Sequence, residues 1–598
     1  MREKIFISGF PTERESQRFP NDFEEQRRFE AAGKVVQISW SSVSERVIFV
    51  EDDDYAVLAF GYFYTDLCVD CANLAREVFL LREQNVTDLN GEFLVFCVSK
   101  KTAEVSVHND RFASIQFHYF LRDNEFYGSF SFSDLIGFLK KNTLDFSWNF
   151  SAAYEYLCFR RIHGADTLCN EVYFLRAGHK LVWGNELKVS RYFSPTYSIS
   201  NQQSEETAKL LAQALSASID SKLSDADDCV LFLSGGHDTR VVLSALNKPA
   251  VCYTLGFAPD TREILRAREL AELVSVPHRT ILLDQNLYQK TYRDAVMQNG
   301  GQYNVANIFL GVDGVMDRGN VGLCGTGLDY FFQGMYIPNQ MKKIFGYSLY
   351  PEQRHIPEDV PKFYLENFSS RLKFAGLDGL VKAELLPELK AKLQDKLVEL
   401  YREALGFGAS KLQAYHHLFL ADPSRHYSYP DNLAMRTVCR LRTPCFDNRV
   451  YECFLSTDPA SRFDRRLTRD LLDIFNPEFR KVPSANDDLP IVSRQMKLLH
   501  RVKRKLKRPP ARETSRESLE AERTWPTNDM ALRNTADARR VLEALSRDDA
   551  AAQYLDIEEL DTLYRQWLSG DVNCPPHSAD FLWNLAGLHA MISAGKWG

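Results

Sequence analysis

Hydrophobic and polar positions change their spacing along the chain. Up to about residue 197, short runs of aromatic and β-branched residues recur, among them Val47-Ile48-Phe49-Val50, Phe93-Leu94-Val95-Phe96 and Val105-Ser106-Val107. Turn-forming pairs such as Asn90-Gly91 and Asp123-Asn124 separate them, so this stretch is expected to be mainly β with a few helices. Residues 198–204, rich in Ser, Asn and Gln, mark a linker. Beyond it, apolar residues fall at helical spacing over 205–223, with Ser204 placed as the cap. Cys229-Val230-Leu231-Phe232-Leu233 is a continuous apolar run, as a strand buried on both faces requires. Strand-then-helix alternation continues with 251–255 before 263–273 and 321–324 before 329–334. That alternation predicts a doubly wound α/β sheet. From about 360 onward the spacing is mostly helical.

A chain of 598 residues exceeds one core, which adds at least one domain to this picture. The net charge of −7 gives no general attraction to nucleic acid, and none is expected as a partner. No apolar stretch is long enough to cross a bilayer, and the N-terminus lacks the pattern of a secretory signal. The 12 cysteines have no framework spacing and read as reduced, mostly buried thiols of a cytoplasmic protein. The single C-x-x-C, Cys68 to Cys71, has no second pair to complete a zinc site. One local exception to the acidic balance is the segment from Lys497 to Arg512, with eight Lys and Arg in sixteen positions. It reads either as a solvated helix and loop or as a docking site for an anionic partner or membrane surface.

The candidate chemistry sits where the apolar run of 229–233 gives way to a helix, in Leu233-Ser234-Gly235-Gly236-His237-Asp238-Thr239-Arg240. Two glycines allow close backbone approach, and N–H groups of the loop and helix start can face phosphate oxygens. Ser234 adds a hydroxyl, and Asp238 can hold a magnesium ion bridging those oxygens. No Gly-Lys-Ser/Thr follows, so this is not a Walker A loop. It resembles the S-G-G-x-D-S loop of the ATP pyrophosphatases.

With three further segments the resemblance narrows to the asparagine synthetase family and extends over nearly the whole chain. Cys252 to Phe257 is similar to the family's second strand, Leu323-Cys324-Gly325-Thr326-Gly327-Leu328-Asp329 to its S-G-E-G-x-D loop, and Arg440 to Asp447 to its R-x-P-F-L-D segment. Asn90-Gly91-Glu92-Phe93 and Asn109-Asp110-Arg111-Phe112 resemble signatures of the family's glutaminase half. The resemblance implies an N-terminal Ntn-hydrolase-like αββα sandwich over 1–197. It implies a doubly wound ATP pyrophosphatase domain with a helical C-terminal part over 205–598. It assigns ATP to Leu233, Ser234, Gly235, Gly236, Asp238, Thr239, Leu255, Gly256, Cys324 and Gly325, and Mg²⁺ to Asp238 and Asp329.

The family pattern is broken in both halves. Position 2 is Arg2 rather than the nucleophilic cysteine, and the oxyanion element reads Phe60-Gly61-Tyr62-Phe63-Tyr64-Thr65. In the synthetase half, Thr326 and Tyr330 replace acids and Asn486 aligns with the catalytic lysine. Lys481 or Arg240 is then left to supply its charge. Two readings follow. One is an AMP-forming ligase that joins a carboxylate (small molecule, sugar acid or peptide) to an amine or ammonia, as β-lactam synthetases and lasso-peptide cyclases do with similarly altered N-terminal domains. The other is a catalytically weakened ATP-binding scaffold. Lacking nucleophile and oxyanion donor, the protein is expected to release no glutamate from glutamine above a no-enzyme control. Release above that control would refute the reading of Arg2 and Phe60.

Overall fold

The computed structural model describes residues 4–11, 23–41, 47–81, 85–198, 204–302, 308–312, 314, 318–344, 347–368, 376–492, 496, 498–499 and 525–593. Arg2 and, apart from Leu498 and Leu499, the basic segment from Lys497 to Arg512 lie outside the described residues.

Two six-stranded antiparallel sheets stack within residues 4–191. The first runs in the order Val172–Phe174, His118–Arg122, Glu125–Ser129, Lys4–Pro11, Lys34–Ser41, Glu25–Ala31. The second runs Leu187–Arg191, His179–Trp183, Val105–Asn109, Asn90–Ser99, Tyr55–Tyr64, Val47–Glu51. Side chains alternate across each strand, and here the alternation sorts them into separate cores. Leu58, Phe60, Leu94 and Phe96 meet Ile5, Ile7, Val36 and Ile38 of the other sheet. Their neighbours Val57, Ala59, Phe63, Phe93 and Val95 face Leu74, Val78 and Phe79 of the helical segment 71–80. Phe132–Lys141 and Phe150–Phe159 cover the far face of the first sheet, so the layers run helix, sheet, sheet, helix.

Asp123 and Asn124 make the expected turn, both at positive φ, between His118–Arg122 and Glu125–Ser129. Asn90-Gly91 does not turn. It opens the ten-residue strand Asn90–Ser99, paired from Tyr64↔Asn90 to Tyr55↔Ser99. Gly91 is required there because a Cβ would lie 2.4 Å from the Tyr62 carbonyl oxygen at a φ of +122°. Cys71 donates its thiol to the Phe63 carbonyl at 3.0 Å, a structural role, and all twelve cysteines are free.

The helix expected from the apolar spacing over 205–223 is described over Ser204–Lys222. A five-stranded parallel sheet follows, in the order His278–Leu282, Ala250–Gly256, Cys229–Phe232, Val321–Leu323, Arg440–Arg442. The outer two strands are additions to the alternation read from sequence. Strand order reverses between Cys229–Phe232 and Val321–Leu323, the switch point outside whose carboxyl ends open α/β sheets bind ligands. The rest is helical. Ser578–Ile592 is buried along most of its length and packs against Leu287–Asn299, Phe150–Phe159 and Ala536–Ala544. No described helix is long and apolar enough to cross a membrane.

The two sheet systems meet at a buried carboxylate. Glu92 accepts from the Thr443 N–H at 2.6 Å, the Thr443 hydroxyl at 3.2 Å and Arg436 Nη2 at 2.7 Å, with Lys222 Nζ 3.6 Å away. Lys222 also donates to the Tyr62 hydroxyl and to the Phe446 carbonyl at 2.9 Å. Around this centre Tyr64 donates to Asp447 at 2.5 Å, the Asn448 N–H reaches the Asn90 side chain at 3.0 Å, and Phe112 stacks on Phe446 at 4.7 Å. Glu92→Ala leaves Lys222 and Arg436 buried without their acid. The expected cost is about 3–5 kcal/mol, read as a lower unfolding midpoint in urea. An unchanged midpoint would show that the two parts do not depend on this contact.

Candidate functional site

The loop after Cys229–Phe232 and the loop after Val321–Leu323 lie side by side at the switch point. Gly325 makes this possible, since a Cβ there would stand 2.7 Å from Asp238 Cβ and 2.8 Å from the Thr239 nitrogen. Gly327, at φ +96°, turns the second loop against Cys445 and into the short helix Leu328–Phe332. Asp238 and Asp329 therefore open two adjacent helices, each with part of its surface exposed. Burial raises the pKa of both, and for Asp329 the charge of Asp238 raises it further. Two carboxylates this mutually unfavourable fit a divalent cation, which takes one or two carboxylates together with phosphate oxygens. Among the described residues no group of three or more His, Cys, Asp or Glu could hold a metal.

The first loop is closed by its own contacts. The Ser234 N–H donates to Thr239 Oγ1 at 2.9 Å, that of Gly236 to Ser234 Oγ at 3.2 Å, and that of Gly235 to Glu263 Oε1 at 2.9 Å. Phosphate oxygens would have to replace the last two acceptors. Gly235 is hemmed in on its other side, where a Cβ would fall 2.8 Å from Ala485 and 3.0 Å from Arg266 Cβ. Leu233 is tied to the next strand through its N–H to the Tyr253 carbonyl and its carbonyl to Thr254 Oγ1, which also meets His278 at 2.8 Å. Leu255 and Gly256 end that strand, with Gly256 packed against Ile264. Cys324 is buried beside Thr326 and Thr443.

Neither cation suggested by the sequence offers a donor to a phosphate at this loop. Arg240 is fully buried and places five donors on five backbone carbonyls: Nε on Gly236, Nη1 on Phe479 and Val482, Nη2 on Gly235 and Pro483, all within 3.2 Å. This clamps the glycine loop to the segment 479–483 and leaves no donor for a phosphate. Lys481 is 71% exposed and paired with Glu478 at 2.5 Å. Asn486 is exposed beside Ala485, whose N–H donates to the Gly235 carbonyl at 3.0 Å, so that segment does border the loop. Thr326 bonds Asn432 at 2.7 Å, and Tyr330 bonds Ser428 at 2.7 Å.

A cation that the sequence did not single out stands nearer. Arg465 Nε donates to Gln333 Oε1 at 3.2 Å, and Gln333 Nε2 donates to Asp238 Oδ1. The charge of Arg465 opposes the upward shift of Asp238 that burial causes. Asp464 and Arg465 both adopt left-handed backbone at φ 58°, a rare pair without glycine. Its only sequence trace is an Arg-Arg pair before an amphipathic helix, too common to act on.

A family model described as asparagine synthase matches residues 210–593. No curated protein matches the chain. Among solved structures, a glutamine phosphoribosylpyrophosphate amidotransferase from B. subtilis, complexed with ADP and GMP, is similar at 11% identity over 42% of this chain, with a TM-score of 0.17. The match spans 51% of that protein, about half its length. A structure titled as the allosteric regulatory enzyme of purine biosynthesis is similar at 11% identity over 56% of this chain and 70% of that one, with a TM-score of 0.19. Likeness at these scores adds nothing to the fold or the site.

The clamp and the exposed lysine separate in a denaturation experiment. Arg240→Met should destabilise by about 3 kcal/mol or more, because several buried carbonyls lose their donors. Lys481→Ala should stay within about 0.5 kcal/mol of the parent. Equal losses in urea unfolding would contradict this division of roles.

Proposed function

Because the chain belongs to the asparagine synthase family, a family of ATP-dependent amide ligases, we propose that it activates a substrate carboxylate as an acyl-adenylate and passes it to an amine or ammonia. The observation that carries this reading is the pairing of Asp238 and Asp329 at the switch point of the parallel sheet. A carboxylate oxygen of the substrate attacks the α-phosphorus of ATP, and the bond to the β-phosphate breaks to give pyrophosphate. The amine then forms the amide, AMP leaves, and the amine gives up a proton.

Asp238 and Asp329 would hold Mg²⁺, which supplies positive charge to the phosphate oxygens. Ser234 and the N–H groups of Gly235 and Gly236 exchange their internal partners for phosphate oxygens. Arg465, held by Gln333 beside Asp238, supplies the positive charge that the family takes from lysine. The substrate's nitrogen comes from outside the chain. The nucleophile position is Arg2, and Phe60 at the oxyanion position is buried against Phe96 and Phe130. The closed hydrogen bonding of the glycine loop favours the second reading, an ATP-binding scaffold with weakened chemistry.

Asp238→Asn and Asp329→Asn should each weaken calorimetric binding of Mg-ATP by about 30-fold or more. In AMP-release assays with candidate carboxylates and amines, Arg465→Ala should lower turnover by about 100-fold, with Arg465→Lys recovering part of it. Full turnover in Arg465→Ala would refute its role. ATP binding without any AMP or pyrophosphate would leave the scaffold reading in its place.

A further inference from the structure

A cavity of about 50 Å³ lies between the two sheet systems, lined by His118 from the first sheet, by Arg160 and Arg161 after the helix Phe150–Phe159, and by Ser424, Arg425 and His426. Three arginines line it and, among the described residues, no carboxylate does. Arg425 is already committed, with Nη1 on the Gly164 and Asp166 carbonyls and Nη2 on Gln302 at 3.2 Å. Arg161 is not. Only 3% of it is exposed, Nη1 meets the Phe419 carbonyl, and its buried Nε and Nη2 have no hydrogen-bond partner among the described residues. The Ser424 hydroxyl, also buried, has none either. A guanidinium removed from water without an acid is strongly unfavourable, and an anion seated on these donors would relieve that cost.

The neighbouring groups leave the charge of these arginines in place. Burial holds His118 and His426 neutral, helped by Arg425 in the first case and by Arg161 and Arg160 in the second. The acids nearest Arg425 are engaged elsewhere: Glu155 with His163 and Lys396, Asp166 with Lys396, and Asp422 with Arg176. Arg160, at the left-handed end of its helix, lies over the Tyr427 ring at 4.6 Å. Arg160 and Tyr427 form a wall shared with a larger cavity of about 430 Å³, whose aromatic sides include Tyr336, Phe368 and Phe419. Tyr336 follows Gln333 by three residues and lies within reach of the charge of Asp329.

We propose that the two cavities form one site for the carboxylate substrate, in which Arg161 and Arg160 hold a second anionic group, a phosphate or carboxylate, remote from the carboxyl that reacts. This rests on the ligase reading for the identity of the ligand and on the unpartnered guanidinium for the site. The body of the substrate then packs on the aromatic wall, with its reacting end toward Asp329.

The test titrates inorganic phosphate and, separately, succinate into the full chain, into Asp238→Asn and into Arg161→Met. The parent and Asp238→Asn should bind one of the two anions, and Arg161→Met should bind it about 30-fold more weakly. Which anion binds assigns the group. Without any anion, Arg161→Met should melt above the parent, because an unpaired buried charge has gone. A purely structural arginine would give a lower melting point and unchanged anion binding. Arg160→Gln provides a second variant if the first does not fold. No binding of either anion by the parent, or binding indifferent to both arginines, overturns the proposal. Arginine-dependent anion binding by a protein that makes no AMP removes the ligase reading and leaves the anion site standing.

Discussion

Glu92 is a carboxylate taken wholly out of water, and the architecture follows from having to satisfy it. Its partners come from three places: Lys222 at the end of the linking helix, Arg436 before the last parallel strand, and Thr443 after it. Holding Thr443 fixes the following segment, which puts Cys445 against Gly327 and so sets the turn that presents Asp329. One glutamate on an antiparallel strand thereby positions a carboxylate at the start of a helix beyond the parallel sheet. The first half is held in place by the same contact, because Lys222 and Arg436 of the second half find their acid only there.

Arginines elsewhere show how differently one side chain can be used when its surroundings change. Arg240 gives every donor direction to carbonyls and acts as a staple. Arg462, also buried, fastens the Phe331 carbonyl and thus the helix that begins beside Asp329. Arg176 forms a fork onto Glu403 and reaches Asp422, and with Arg191 also on Glu403 two cations meet two acids at the joint between the halves. Arg465 and Arg161 keep donors unspent among the described residues. The difference lies in what faces each guanidinium.

Much of the plan was legible in the chain. The apolar run at 229–233 and the glycine loop after it announced a strand, a turn and a helix, because burial on both faces and close approach each demand particular residue types. The paired aspartates followed from resemblance and came together as Gly325 allowed. Asn90-Gly91 misled because a turn signal is local, while the facing Tyr62 backbone that needs Gly91 is far away in sequence. Arg240 misled for a similar reason. Position on the loop suggested phosphate, yet the carbonyls of 479–483 that claim it are more than 230 residues distant. Arg465 was invisible because its approach to Asp238 passes through Gln333 and an unusual backbone turn.

The burial of Ser578–Ile592 has a consequence for how such a chain comes into being. That helix touches Phe150–Phe159, and Tyr156 reaches across to Asn584 at 3.3 Å. During synthesis the early layers emerge hundreds of residues before the element that finishes their outer surface. They must wait with apolar area uncovered, and local strand pairing is what keeps them from associating with other nascent chains in the meantime. The outer surface of the first half is thus completed only once Ser578–Ile592 has been made, more than four hundred residues after the helix it covers.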